Sequence, residues 1–303
     1  MDLALFFPLC AHFQNNLGAM FGKKQDSSDT KRIPPYGSPI ASSSKKNGTI
    51  RPAYVIERYA AYYPMNHKRR GMALIFSHNK FNVPNTPLQV REGSSVDCKR
   101  LKDTLELYGF DVKVYQDFKL EEIKAVVRDV SSMDHKDNDC ILVAVLTHGE
   151  DCDYVYAHDC TYDLSTIWTF FTADNCPSLA GRPKIFIVQA CRGNKLDEGV
   201  KVQRDGVARY SIPTHADFLF AYATLPGFMA FRNTTEGSWF INELCKEMKE
   251  NGHKYDFLTL LTFVTQKVAY DHESVSNIPE FNMRKQTPCV MSMLTRLLLF
   301  NVV

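Results

Sequence analysis

The sequence predicts an α/β fold built on a mostly parallel sheet with helices on both faces. Three observations lead there. From Arg70 onward, short apolar runs alternate with helical periodicities of ten or more residues, the pattern of strand, crossover helix, strand. Several of those runs, Cys140 to Thr147 and Lys184 to Ala190 above all, are continuously apolar rather than alternating, as strands covered on both faces must be. Finally, 45% hydrophobic residues against 23% charged is enough to fill a substantial core in a 303-residue chain.

The elements follow in order. Met72 to Ser77 reads as a buried strand, and Val96 to Tyr108 as a helix stopped by Gly109. Val112 to Tyr115 alternates as a short strand, and Leu120, Ile123, Val126, Val127 and Val130 line one face of a second helix. After the strand at Cys140 to Thr147, a helix is expected over Leu164 to Phe171, then strands at Lys184 to Ala190 and Asp217 to Ala223. Helices at Ser238 to Glu250 and Asp256 to Tyr270 precede a last β-type run, Cys289 to Phe300. Residues 22 to 53 are rich in Ser, Lys, Pro and Gly with almost nothing to bury, so disorder is expected there, and 1–53 reads as a short polar prodomain and linker.

Composition narrows the function. With 36 basic and 34 acidic side chains, the charge of +2 supplies no field that would favour nucleic acid or an anionic membrane. The apolar start carries Asp2 where a signal peptide has basic residues, and no run approaches the ~20 apolar residues of a membrane span. Nine scattered cysteines without a Cys-x-x-Cys pair support neither a zinc site nor a disulfide framework. A reducing, cytoplasmic home without metal or other cofactor is the expectation.

In sheets of this kind, sites lie beyond the carboxyl ends of the strands. That rule puts four loops on one rim: the loop reaching Arg91, the turn Thr147-His148-Gly149, the turn Gln189-Ala-Cys191, and the loop carrying Arg232. Cys191 and His148 can form a nucleophile and base dyad, because an imidazole beside a thiol takes or shares its proton. Gly149 lets the backbone approach a substrate, so its N–H and that of Cys191 can serve an oxyanion. A guanidinium fork matches a carboxylate, so Arg91 and Arg232 with Gln189 suggest a pocket for an aspartate side chain. Each residue also has a plainer reading: a packed thiol, a strand-capping histidine, a solvated arginine with Glu92 as local partner. The run Lys68-Arg69-Arg70 reads as a solvated turn, or else as a lure for acidic substrates.

Gln189-Ala-Cys-Arg-Gly193 is a family-specific nucleophile signature whose histidine stands ~50 residues upstream, the range of His148. With it occur, in order, Gly71-Met-Ala-Leu-Ile-Phe76, Thr147-His-Gly-Glu150, Cys176-Pro-Ser-Leu-Ala-Gly-Arg-Pro-Lys184, His215-Ala-Asp-Phe-Leu-Phe220, Gly237-Ser-Trp-Phe240 and Ser292-Met-Leu-Thr295. From about Lys68 to Phe300 the chain resembles the caspases, and within them the short-prodomain effector caspases of arthropods.

The resemblance implies a three-layer fold of six main strands, dimerising through the last. It implies a large subunit over 54–205 and a small one over 206–303, together one catalytic domain. Cys191 would be the nucleophile, His148 the base, Gly149 and Cys191 the oxyanion donors, and Arg91, Gln189 and Arg232 the aspartate pocket. Thr147, Met229, Phe231, Asn233, Trp239 and Phe281 would complete the substrate cleft. The chain would be an aspartate-directed cysteine endopeptidase of apoptosis, matured by cuts after Asp205 and after Asp29 or Asp26. Protein substrates with exposed aspartates, a homodimer or a heterodimer with a related caspase, an upstream initiator caspase and inhibitor-of-apoptosis proteins are the implied partners; nucleic acid and membrane are not.

Met229-Ala-Phe-Arg-Asn233 departs from the Tyr-Ser-Trp-Arg-Asn usual in effector caspases, so the residues preferred ahead of the aspartate are expected to differ. The same departure leaves room for a second reading, a weakly active homologue that regulates an active relative. A protease of this fold cutting after arginine or lysine is disfavoured, since its pocket would be acidic.

Overall fold

The computed structural model describes residues 59–151, 153–194, 196 and 215–300. The predicted cleavage residues Asp26, Asp29 and Asp205 lie outside the described residues. The strands are β1 (Met72–Ser77), β2 (Asp111–Gln116), β3 (Ile141–Leu146), β4 (Tyr154–Tyr156), β5 (Thr161–Asp163), β6 (Lys184–Gln189), β7 (Phe218–Tyr222), β8 (Arg232–Asn233), β9 (Gly237–Ser238) and β10 (Cys289–Ser292). The helices are α1 (Ser94–Leu107), α2 (Leu120–Ser131), α3 (Ser165–Trp168), α4 (Trp239–Asn251) and α5 (Phe257–Asp271).

Six strands form one sheet in the order β10-β7-β6-β3-β1-β2, parallel except where β10 pairs antiparallel with β7. The expected α/β sheet is therefore present. Every residue of β3, β6 and β7 is buried, and the two-residue period sends successive side chains to opposite faces. Ala73, Ile75, Leu142, Ala144, Ile185, Ile187, Leu219 and Ala221 meet α1, α4 and α5, whereas Leu74, Phe76, Val143, Val145, Phe186, Phe218 and Phe220 meet α2 and α3. Phe186 stacks on both Phe218 and Phe220, with ring centroids 6.0 and 5.1 Å apart, so β6 and β7 are joined by side chains as well as by the ladder.

Helix limits follow local chemistry. Gly93 precedes α1 at φ 83°, a conformation that suits glycine. In α2, the N–H of Lys119 donates to Glu122 and that of Leu120 to Asp159, while Ile123, Val127 and Val130 are buried as the periodicity predicts. Asp256 caps α5 by accepting from Leu258 and Thr259.

Three expectations need correction. The last β-type run ends at Ser292 rather than Phe300. Beyond it the Thr295 hydroxyl donates to Asp217 at 2.6 Å, and Leu297 pairs with Ala61 and Tyr63, so the chain turns to bury Leu298 and Phe300 under α5. The helix expected over 164–171 is only α3 followed by a 3₁₀ turn, Thr169–Phe171. The basic run at 68–70 is not one solvated turn, because Arg70 is buried, donating to Asp139 at 2.8 Å and to the Tyr108 carbonyl at 3.0 Å.

Candidate active site

The parallel register aligns the ends of the central strands: Ser77 pairs with Leu146, and Leu146 with Gln189. Beyond that line the chain delivers Arg91, His148 and Cys191 to one rim, as strand-end topology predicts. The approach of the two central turns is tight. A Cβ on Gly149 would sit 2.0 Å from the Cys191 carbonyl oxygen, so only glycine admits the contact. Thr147 fixes the same turn from behind: its N–H donates to Gln189, and its hydroxyl donates to the Tyr156 carbonyl at 2.6 Å. The adjoining bridge uses the N–H of Glu150 to Tyr154 and that of Tyr156 to His148, and neither bond engages the Gly149 amide.

His148 Nε2 lies 2.9 Å from the Gln89 carbonyl oxygen. A carbonyl only accepts, so Nε2 carries the hydrogen and the neutral ring keeps its lone pair on Nδ1. Phe81 packs on the imidazole at 5.0 Å, and His78 stacks behind Phe81. Burial, reinforced by Arg91 and Arg232 and opposed by the Gln89 bond, pushes His148 down to about 4, so it is an unprotonated base at neutral pH.

Cys191 is half-buried at the mouth of β6. Its Sγ lies 3.5 Å from the Ala230 nitrogen and 3.8 Å from the Ala230 oxygen, so the thiol rests against the backbone of the Met229-Ala-Phe231 segment. Four other thiols among the described residues belong to the core: burial pushes those of Cys98, Cys140, Cys176 and Cys245 upward, the last to about 11, as inert groups.

The aspartate-pocket candidates converge. Arg91 is 1% exposed, with Nη1 donating to the His78 carbonyl at 3.0 Å and to Ser94 Oγ at 3.3 Å, while Nε meets no hydrogen-bonding partner among the described residues. Gln189 is 2% exposed and its Oε1 is likewise unmatched. Arg232 is half-buried, with Nε donating to the Glu92 carbonyl at 2.7 Å, so Glu92 meets this arginine through its backbone. Burial first, then Arg232, pushes Arg91 down to about 9, and both arginines lie within electrostatic reach of Cys191. A buried guanidinium with an unmatched Nε donor, beside the half-buried Arg232, can serve as a receptor for an anion.

The outer residues divide. Phe231 stacks on Trp239 at 4.9 Å, and Trp239 on His272 at 5.2 Å, a three-ring column whose last member contacts Glu243 at 3.1 Å. Met229 is half-buried beside Ala230. Asn233 spends its side-chain oxygen on the N–H groups of Thr235 and Glu236 in its own turn. Phe281 ends a 3₁₀ turn, Pro279–Phe281, and its carbonyl accepts from Ser274 within the same loop. Sequence reasoning missed Phe81, Asp97, His272 and Gln286. Gln286, 1% exposed, accepts from the Phe231 N–H at 2.6 Å and donates to the Ala223 carbonyl at 2.8 Å, pinning the recognition segment to the end of β7.

The family model described as Caspase domain matches residues 70–299. This chain belongs to the caspase family. It is 50% identical over 274 residues to Caspase drICE of Drosophila melanogaster, covering 88% of this chain and 79% of that protein. Caspase-1 of Spodoptera frugiperda is 47% identical over 287 residues, covering 91% and 94%. The crystal structure of Caspase-1 from Spodoptera frugiperda superposes with a TM-score of 0.76 at 49% identity, over 82% of this chain and 98% of that one. The chain is accordingly an aspartate-specific cysteine protease of the arthropod effector-caspase group, with the caspase fold. No helix among the described residues is long and apolar enough to cross a membrane.

Proposed function

We propose that this caspase executes apoptosis by cutting cytoplasmic proteins after aspartate, with Cys191 as nucleophile and His148 as base. The observation that carries the assignment is the placement of buried Arg91 and half-buried Arg232 within electrostatic reach of each other and of Cys191, with buried Gln189 two residues before the thiol. The substrate aspartate enters between the two forks and takes up the unmatched Nε donor of Arg91. Its backbone displaces the thiol from Ala230, whose N–H and carbonyl are then available to an extended peptide.

In the reaction, Nδ1 of His148 takes the thiol proton and the thiolate adds to the substrate aspartate's own carbonyl carbon. The N–H groups of Gly149 and Cys191 stabilise the oxyanion, each such donor contributing about 3 kcal/mol. His148 then gives its proton to the departing amine as the C–N bond breaks, leaving a thioester. Water, deprotonated by the same imidazole, adds to the thioester, and collapse releases the acid and regenerates the thiol. Gln89 holds the ring through Nε2 in both steps.

Maturation is proposed to cut after Asp205, giving a large subunit ending there and a small one over 206–303, with prodomain removal after Asp29 or Asp26. β10, an edge strand with Met291 47% exposed, is proposed to pair with its counterpart across a two-fold axis. An initiator caspase upstream and inhibitor-of-apoptosis proteins are the proposed regulators. Purified protein should hydrolyse an aspartate-ended peptide amide, with Cys191→Ala inactive and a new Gly206 amino terminus seen by mass spectrometry. No cleavage across a panel of such peptides would sink the catalytic assignment, and a different terminus would sink the processing site.

A further inference from the structure

Asp97 lies in the first turn of α1 and is 0% exposed. Its Oδ1 accepts from the Ser238 N–H at 2.8 Å, while Oδ2 meets no hydrogen-bonding partner among the described residues. The contact depends on Gly237, at φ 85°, where an added Cβ would come 2.3 Å from Oδ1. A carboxylate fully removed from water is costly unless opposite charge compensates it. Burial pushes the Asp97 carboxyl up, and the bond to Ser238, then the charges of Arg91 and Arg232, oppose that shift.

The setting gives that charge a task. Arg91 and Arg232 repel each other. Arg91 is held by His78 and Ser94, so repulsion acts chiefly on the more exposed Arg232 at the root of the β8–β9 hairpin. Asp97 opposes this twice: its charge attracts both forks, and its bond to Ser238 ties the hairpin to α1. Arg100, one turn further on, donates to the Glu236 carbonyl at 2.7 Å and braces the same hairpin.

We infer that Asp97 is the positioning residue of the aspartate pocket, a buried counter-charge that holds Arg91 and Arg232 at the spacing that fits aspartate and rejects glutamate. The inference rests on the reading of Arg91 and Arg232 as the receptor for the substrate carboxylate. It assigns Asp97 no contact with substrate.

The test uses the full-length processed protein and matched peptides ending in aspartate or glutamate. Asp97→Asn keeps the acceptor for Ser238 and removes the charge. KM for the aspartate peptide should rise roughly tenfold, the size of one charge-assisted interaction, with kcat falling by less than about threefold. The preference for aspartate over glutamate should narrow by a similar factor. An unchanged or lower KM with unchanged preference overturns the inference, because it would mean that Asp97 merely opposes the incoming anion or only supports the fold. Should Asp97→Asn fail to fold, Gly237→Ala, which crowds Oδ1 without removing it, should show the same narrowing to a smaller degree, and an unaltered preference there overturns it equally. Arg91→Ala separates the two levels: if it retains activity, the pocket reading fails; if it loses activity while the Asp97 and Gly237 variants keep the native preference, only this inference fails.

Discussion

The inner and outer halves of the cleft are built differently. In the inner half, His148, Gln189 and Cys191 leave neighbouring strands in register, so their separation is set by ladder geometry and by the Gly149 contact. In the outer half, Phe231, Arg232 and Trp239 stand on or beside a hairpin of two-residue strands, held by side chains: Gln286 on Phe231, Arg232 on Glu92, Asp97 on Ser238. On the proposed reading, chemistry sits on the sheet and selectivity on adjustable struts. Substitutions inside should therefore abolish turnover, whereas those outside should redistribute it.

The largest effect expected, short of removing the nucleophile, is from Arg91→Ala. It should lower kcat/KM on an aspartate peptide by about 10²–10³-fold, the cost of leaving a desolvated carboxylate without its partner. A loss under tenfold in steady-state assays would move Arg91 to the outer class.

A second prediction concerns acid. His78 is fully buried and its Nε2 lies 3.0 Å from the Phe118 carbonyl; burial pushes it down to about 4. A histidine whose folded value lies below its unfolded value near 6.5 favours unfolding when protonated. Its contribution is thus intact above about 6.5 and is lost as pH falls from there to about 4, up to ~3 kcal/mol for this group. His148 adds in the same direction. Chemical denaturation at pH 7 and pH 4.5 should reveal the loss, and a flat profile would contradict it.

Gln286→Leu tests the struts. It strands the Phe231 N–H and the Ala223 carbonyl, so roughly a tenfold fall in kcat/KM is expected, with broader tolerance two residues ahead of the aspartate in a positional peptide library. Smallest is His272→Ala, which removes the end of the aromatic column and one of the two partners of Glu243, Lys246 being the other. It should change preference at outer positions by a fewfold while leaving kcat on a minimal aspartate peptide near wild type. Equal losses at all positions would argue that the column supports the hairpin as a whole.

This division also explains what could be read from the sequence. The sheet and the inner residues announce themselves through apolar runs that end in Thr-His-Gly and Gln-Ala-Cys-Arg-Gly, because strand ends are visible in one dimension. Arg232 was legible as a cation after a strand, although its hairpin, two residues per strand, leaves no periodicity. Asp97 and Gln286 were not legible. Each looks like an ordinary polar residue, one on a helix and one before a strand, and only long-range packing brings them to Ser238 and Phe231. The closing run misled for a related reason: Leu297, Leu298 and Phe300 have strand composition, but the chain turns after the Thr295–Asp217 bond and buries Leu298 and Phe300 while Leu297 stays exposed.

Adjacent β6 and β7 have a consequence for maturation. They are paired from Lys184↔Phe218 to Val188↔Tyr222, and each face of the sheet draws core residues from both sides of the proposed cut. A nick after Asp205 therefore creates two polypeptides without creating two bodies. What changes is the unfolded state: once denatured, the pieces diffuse apart, so refolding becomes an encounter between molecules and the apparent melting temperature acquires a dependence on concentration. Maturation would leave the sheet in place and make its loss hard to reverse at low protein concentration.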